Sequence, residues 1–204
     1  MSIRKLDQIH PRLRRFLSCE GCKLKDYRHN VVLGEGSLPC DLLFVADGPG
    51  KNENLLGIPL TGPANHILEE AIRISKILAG VEEDKAISIY KTNVVLCRPC
   101  DSKTGISRAP SDDEVIACFR RLETEVVLAN PKMVVLLGQT VRRCAGRMFP
   151  DALVLPHPMS LVNLGGVQHP AFQQFCRELS VVMKTLAVGH KPRPIRRKDH
   201  GNEA

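Results

Sequence analysis

Two cysteines in the sequence Cys19-Glu20-Gly21-Cys22 have the spacing of a metal-binding pair. Thiolates three residues apart can reach one centre from a single turn of chain, and later cysteines can complete a tetrahedron around it. Cys97 and Cys118 are candidates for these other two positions. Four cysteines at one centre suit either zinc or an iron–sulfur cluster, so the sequence predicts a metal centre of one of these kinds.

Three polar residues with catalytic potential each follow a predicted strand: Asp47, Asn93 and His157. The carboxyl ends of parallel strands meet at one edge of a sheet, where open α/β folds bind their ligands. A carboxylate can position water, an amide presents both a donor and an acceptor, and an imidazole can donate to developing negative charge. The sequence therefore predicts a site at this edge.

The elements that must position these residues alternate along the chain. Apolar runs predict strands over 41–46, 86–96, 132–138 and 152–156, and helical spacing of apolar residues predicts helices over 63–79, 112–129, 140–148 and 171–187. Ser111 with Glu114 matches the capping-box pattern at the start of the second helix. This order predicts a three-layer α/β/α fold with a central, mainly parallel four-stranded sheet.

Composition narrows the class of protein. A chain of 204 residues with 43% hydrophobic content suits one compact domain over residues 1–188, followed by a flexible basic tail over 189–204. The net charge of +7 favours a polyanionic partner. We expect a cytoplasmic protein with reduced thiols, because the eight cysteines accompany neither a secretion signal nor a membrane-length apolar run.

Four segments of the chain resemble, in their order, motifs of the iron–sulfur branch of the uracil-DNA glycosylase superfamily, the family 4 enzymes. They are Val45-Ala46-Asp47-Gly48-Pro49-Gly50, Gly57-Ile58-Pro59-Leu60-Thr61-Gly62-Pro63-Ala64, Thr92-Asn93-Val94-Val95-Leu96-Cys97-Arg98-Pro99 and His157-Pro158. The resemblance spans about residues 16–188. It implies the uracil-DNA glycosylase fold and the excision of uracil from DNA by hydrolysis of the N-glycosidic bond, which leaves an abasic site for base excision repair.

The first two segments imply the catalytic acids and the base pocket. Asp47 takes the place of the family's glutamate and would position water, together with Glu53. Gly48 and Gly50 would let the backbone approach the ligand closely. Leu60 replaces the phenylalanine on which the flipped base stacks, and so offers an apolar floor without a ring.

The other two segments imply recognition of the base and stabilisation of the leaving group. Asn93 would read the O4 and N3–H edge of uracil, a pattern that cytosine inverts. His157 would stabilise negative charge on O2 of the departing uracil. In this chain Met159 intervenes before Ser160 in what the family has as His-Pro-Ser. Leu161, in a predicted DNA-facing loop over 160–166, would wedge into the space that the flipped base vacates.

The resemblance also assigns Cys19, Cys22, Cys97 and Cys118 to a 4Fe-4S cluster, with zinc as the alternative. The interval from Cys97 to Cys118 is longer than is usual in the family, so Cys100 is a rival ligand to Cys97. The Cys-Arg-Pro context favours Cys97.

The implied partner is uracil-containing DNA, single- or double-stranded, bound by a monomer without membrane contact. A replication or repair protein is a further candidate partner. For the cytoplasmic location two narrower alternatives stay open, a nucleoid-associated protein and a virus-encoded protein in an infected cell. Two other functions stay open because Asp47, Leu60 and Met159 depart from the family pattern. One is a catalytically weak or inactive DNA-binding or replication-associated member of the fold. The other is a glycosylase for another deaminated base.

Overall fold

A computed structural model describes residues 9–82 and 84–189, so that most of the predicted basic tail lies outside the described residues. The strands are β1 (Glu35–Gly36), β2 (Leu42–Ala46), β3 (Ile89–Asn93), β4 (Met133–Leu137) and β5 (Leu153–Leu155). The helices are α1 (Pro11–Arg14), α2 (Lys51–Leu56), α3 (Pro63–Leu78), α4 (Asp112–Ala129), α5 (Gln139–Ala145), α6 (Pro158–Asn163) and α7 (Pro170–Ala187).

The sheet has the strand order β1-β3-β2-β4-β5. β2 pairs in parallel with both β3 and β4, and β4 pairs in parallel with β5. The prediction of an α/β fold with a mainly parallel sheet is confirmed. The sheet has five strands where four were predicted, because β1 adds an antiparallel edge to β3. A strand of two residues has no periodicity for a sequence pattern to reveal.

Both faces of the sheet are buried, as parallel sheets require. Along β2, Leu43 and Val45 pack into the core on the face covered by α4 and α5, whereas Leu42 and Phe44 pack into the core on the face covered by α3 and α7. Successive side chains of a strand point to opposite faces, so one fully apolar strand serves both cores.

The long helices agree closely with the sequence. α4 begins with the predicted capping box, in which Ser111 accepts from the backbone of Glu114 and the Glu114 side chain accepts from the backbone of Ser111. The short helices α2 and α6, of six residues each, were not predicted. Among the residues that the structure describes, no helix has both the length and the apolar character needed to cross a membrane.

Candidate functional site

A cleft of about 460 Å³ opens at the carboxyl edge of the sheet. It lies where β2, β3 and β5 end, between the turn before α2, the start of α3 and the loop that precedes α4. Seven residues singled out from the sequence line it: Asp47, Gly48, Gly50, Glu53, Leu60, Asn93 and His157. Topology thus brings together side chains that are up to 110 positions apart in sequence.

Asn93 is the last residue of β3 and is 2% exposed. Its side-chain nitrogen Nδ2 is buried and has no hydrogen-bond partner within the described structure. A buried donor without an acceptor costs about 1–3 kcal/mol. An amide in this state at the wall of a cleft is ready to donate to a bound ligand.

The turn after β2 lines the cleft on one side and packs against the segment after β3 on the other. The Asp47 carboxylate accepts from the backbone of Gly48 at 3.0 Å. A Cβ at Gly48 would lie 2.9 Å from the side chains of Pro99 and Val95. The absence of a side chain at Gly48 therefore already makes room for protein atoms, in addition to any room it leaves for a ligand.

His157 caps α6 with its own ring: Nδ1 accepts from the backbone of Met159 at 3.1 Å. This bond assigns the proton of the neutral ring to Nε2. Burial lowers the pKa of His157, against an opposing effect of the nearby Asp47 carboxylate, which raises it. The imidazole is therefore neutral at pH 7, with one N–H to donate.

Glu53 ties α2 to the loop before α3. Its Oε1 accepts from the backbone of Thr61 at 3.1 Å, and a Cβ at Gly50 would lie 2.6 Å from its Oε2. Burial raises the pKa of Glu53, while the hydrogen bonds from backbone amides lower it. The carboxylate lies at the cleft but is already engaged in holding its wall.

Leu60 is 4% exposed and joins the core beside α3 while also lining the cleft. Its φ of 49° lies in the left-handed region, which is costly for a residue with a branched side chain. The backbone turn between α2 and α3 thus aims an apolar side chain at the pocket.

The prediction that Leu161 wedges into DNA is wrong. Leu161 is 0% exposed, since the segment after His157 is the helix α6 and not a loop, and one side of that helix packs into the core. The exposed apolar side chains in this region are Met159, Leu164 and Val167, at 41%, 52% and 37%. Met159 also lines the cleft.

Ser107 and Arg108 line the cleft and were not predicted from the sequence. They belong to the long interval between Cys97 and Cys118, where Cys100 and Ser107 form an isolated antiparallel β-bridge through their backbones. The Arg108 guanidinium forms an ion pair with Glu114 at 2.6 Å. Only the unusual length of this interval pointed to a feature here.

Cys22, Cys97 and Cys118 lie near one another, on the face of the sheet that α4 covers. Burial raises the pKa of Cys97 to about 11, and Cys118 and Cys22 contribute in the same direction. Burial also raises the pKa of Cys22, to which Cys118 and Cys19 add smaller effects. Cys22, Cys97 and Cys118 thus influence one another, and Cys19 influences Cys22.

Arg28 supplies a positive charge to this cluster of thiols. Its Nη1 lies 3.8 Å from Sγ of Cys97 and also donates to the backbone carbonyl of Cys19. Cys100, on the same loop, pairs instead in an isolated β-bridge with Ser107, which lines the cleft. Within residues 9–82 and 84–189, no group of three or more His, Cys, Asp or Glu side chains stands close enough together to hold a metal ion.

Comparison with known proteins places this geometry in a family. The profile described as Uracil DNA glycosylase superfamily matches residues 33–180, which include the whole cleft as well as Cys97 and Cys118.

Individual relatives agree with the profile, and each is named Type-4 uracil-DNA glycosylase. Those of Sulfurisphaera tokodaii and Saccharolobus solfataricus are 35% and 34% identical over 134 residues, which is 66% of this chain and 56% of each relative. That of Thermotoga maritima is 38% identical over 126 residues, or 62% of this chain and 59% of the relative. The matched part thus spans less than two thirds of these relatives. With a profile match over most of its length, the chain belongs to the uracil DNA glycosylase superfamily.

Proposed function

We propose that this protein is a uracil-DNA glycosylase, which hydrolyses the N-glycosidic bond between uracil and deoxyribose and leaves an abasic site in DNA. The observation that carries the proposal is the side-chain nitrogen of Asn93, which has no partner among the described residues and is buried in the wall of the cleft that Asp47 and His157 also line. Family membership and the names of the relatives support the same conclusion.

Asn93 reads the base in this proposal. Uracil presents an acceptor at O4 and a donor at N3–H, which match Nδ2 and Oδ1 of an asparagine. Cytosine presents a donor at N4 and an acceptor at N3, so it fits only if the amide is reversed. Bound uracil supplies an acceptor for Nδ2 of Asn93 and so recovers the free energy that the unsatisfied donor costs in the empty site. A base without an acceptor at this position does not recover it, and uracil is therefore preferred.

His157 stabilises the leaving group. Cleavage leaves negative charge on the departing base, chiefly at O2, and a fixed donor aimed at that oxygen acts most strongly as the charge develops. Because Nδ1 accepts from the Met159 amide, Nε2–H is the donor. The ring needs no reorganisation for this, since one of its nitrogens is already held.

Asp47 acts on the sugar side of the bond. As the base departs, the deoxyribose gains positive charge, which a carboxylate stabilises, and the same carboxylate can orient the attacking water. Its backbone turn and its bond to Gly48 fix it at the strand end. Glu53 contributes mainly by holding the Thr61 loop and with it Leu60, the floor of the base pocket.

We further propose that Cys19, Cys22, Cys97 and Cys118 hold a 4Fe-4S cluster. Cys22, Cys97 and Cys118 pack in one apolar cluster with the charge of Arg28 beside Cys97, which supports the proposal, although the described side chains do not form a group close enough to hold a metal ion as they stand. When bound, the cluster would tie the 19–22 segment, the end of β3 and α4 together. The packing of Cys97 with Cys22 and Cys118, in a cluster to which Cys100 does not belong, supports Cys97 as the ligand.

The proposal is tested with oligonucleotides that carry one uracil, single- and double-stranded, incubated with anaerobically purified protein and then treated with alkali. Cleavage at the uracil, with release of free uracil and no cleavage of a matched thymine oligonucleotide, is expected. A metal-loaded protein that binds DNA and releases no base would favour the non-catalytic alternative, for which the departures at Asp47, Leu60 and Met159 leave room. Release of a different deaminated base would reassign the substrate.

A further inference from the structure

A buried ion pair lies beneath the end of β3. Nη1 of Arg121 is 2.8 Å from Oε2 of Glu125, and the two side chains are 2% and 0% exposed. Buried ion pairs are weak contributors to stability, because desolvation of both charges offsets their attraction. A contribution to stability therefore does not account for this buried pair, and its contacts indicate another role.

Arg121 contacts three consecutive residues around the base-reading position. Its Nη2 donates to the backbone carbonyls of Asn93 at 2.7 Å and Val94 at 2.6 Å, and its Nη1 donates to Oγ1 of Thr92 at 3.1 Å. One planar guanidinium thus fixes the chain on both sides of Asn93.

Glu125 fixes the guanidinium in turn. Its Oε2 accepts from Arg121 and from the Thr92 hydroxyl, and its Oε1 accepts from the backbone of Gly34 at 2.8 Å and from the Tyr90 hydroxyl at 3.4 Å. The carboxylate therefore joins α4 to β3 and to the segment before β1. Its acceptor positions are filled by groups that do not line the cleft.

The need for such a device follows from the sheet. β1 pairs with β3 only at Tyr90 and Lys91, so along that edge the ladder stops before Asn93. On the other edge, Val94 donates to Ala46 at 2.8 Å. The guanidinium supplies donors to the carbonyls of Asn93 and Val94 where the described structure has no further strand residue in register.

We propose that the Arg121–Glu125 pair is a positioning device that fixes the backbone at Asn93, and with it the place of the side-chain amide in the cleft, and so sets the selectivity for uracil. The inference rests on the proposed function, because it assigns to Asn93 the reading of the base. Uracil and cytosine present opposite donor and acceptor patterns to Asn93, so selectivity depends on the position from which its amide reaches the base. Sites of this kind work when their residues are held within about 0.5 Å of the productive geometry.

The test compares three variants with the wild type. The double variant Arg121→Met with Glu125→Leu removes both charges and leaves neither one buried alone, which favours folding. Arg121→Lys keeps the charge but not the planar fork. Leu122→Ala is the matched control, because Leu122 lies on the same helix and is 1% exposed, and its truncation loosens the core while leaving the guanidinium contacts in place.

For uracil excision, the double variant is expected to lose at least about tenfold in kcat at saturating DNA, with the dissociation constant for an abasic-analogue oligonucleotide within about twofold of the wild type. The ratio of its excision rates for uracil and cytosine should be smaller than that of the wild type. Both the kcat and this ratio for Arg121→Lys should lie between those of the wild type and the double variant. Leu122→Ala should lower the melting temperature without changing the ratio. An unchanged kcat and ratio in the folded double variant would overturn the inference.

Crystal structures of the wild type and the double variant separate this inference from the proposed function. If the wild type releases no uracil, the proposed function fails, but the position of Asn93 still decides whether the pair holds it. The inference predicts that the backbone carbonyl and the side chain of Asn93 are displaced in the double variant. Superposition of Asn93 within the error of the two structures would overturn it.

Discussion

Asn93 and His157 illustrate how single residues are prepared for chemistry before any ligand arrives. Within the part of the chain that the structure describes, Nδ2 of Asn93 is a buried donor without a partner, and His157 accepts at Nδ1 so that Nε2–H is left to donate. The types of these residues and their places at strand ends were predictable from the sequence. The tautomer of His157 was not, because it depends on the backbone of Met159, which becomes a donor to the ring only when α6 forms.

The variant Asn93→Asp should reduce uracil excision by at least about tenfold, because a carboxylate cannot donate to O4 and repels it. Excision of cytosine should rise relative to uracil, since the cytosine amino group can donate to the new acceptor. The measurement is the ratio of kcat/KM for the two bases in the same sequence context. An unaltered ratio would show that Asn93 does not read the base.

His157 makes a prediction for stability against pH. Its pKa is lowered by burial, so the unfolded chain takes up a proton at this residue, near its ordinary pKa of 6.5, before the folded chain does. The free energy of unfolding contributed by His157 is complete above pH 6.5 and is lost as the pH falls below it. Denaturant unfolding at pH 7.5, 6.5 and 5.5 should show a smaller loss for His157→Gln than for the wild type. Equal losses would mean that His157 titrates normally in the folded protein.

At the scale of elements, the strand ends and long helices form the edge of the sheet at which the cleft lies, and short segments between them complete its walls. The bounds of α4, predicted as 112–129, are those of the structure because apolar spacing and a capping box agree there. The sequence of α4 did not reveal its buried ion pair. Arg121 and Glu125 stand four residues apart, as solvated ion pairs on helix surfaces also do, so sequence spacing gave no sign of their burial. α6 was too short to reveal a period, which is why Leu161 was assigned to the surface.

The loop between β3 and α4 allows a paired test of the metal centre. Cys97 packs in the same apolar cluster as Cys22 and Cys118, whereas Cys100 pairs with Ser107 in an isolated β-bridge. We expect Cys97→Ser to lose most of its iron and visible absorption, while Cys100→Ser retains both. Metal analysis of the two variants, purified anaerobically in parallel, is the measurement. Loss of iron from Cys100→Ser alone would show that Cys100, and not Cys97, is the ligand. Zinc in the wild-type protein would show that the centre is a zinc site and not an iron–sulfur cluster.

At the scale of the whole molecule, strand order decides the site. β3 and β4 flank β2, and β5 follows β4, so the ends that carry Asp47, Asn93 and His157 share one edge. Alternation of strands and helices was enough to predict that edge. The contribution of Ser107 and Arg108 was beyond prediction, because the path of a long loop depends on contacts such as the bridge from Cys100 to Ser107. The net charge of +7 of the whole chain favours a polyanionic partner.

The most direct test of the account is single-turnover excision of uracil by Asp47→Asn. Asparagine keeps the size of the side chain and an oxygen for the Gly48 amide but loses the negative charge that the sugar needs. The account predicts that the excision rate falls at least about 100-fold, while affinity for an abasic-analogue oligonucleotide stays close to that of the wild type. Excision at the wild-type rate by Asp47→Asn would contradict the role of this carboxylate and with it the proposed mechanism.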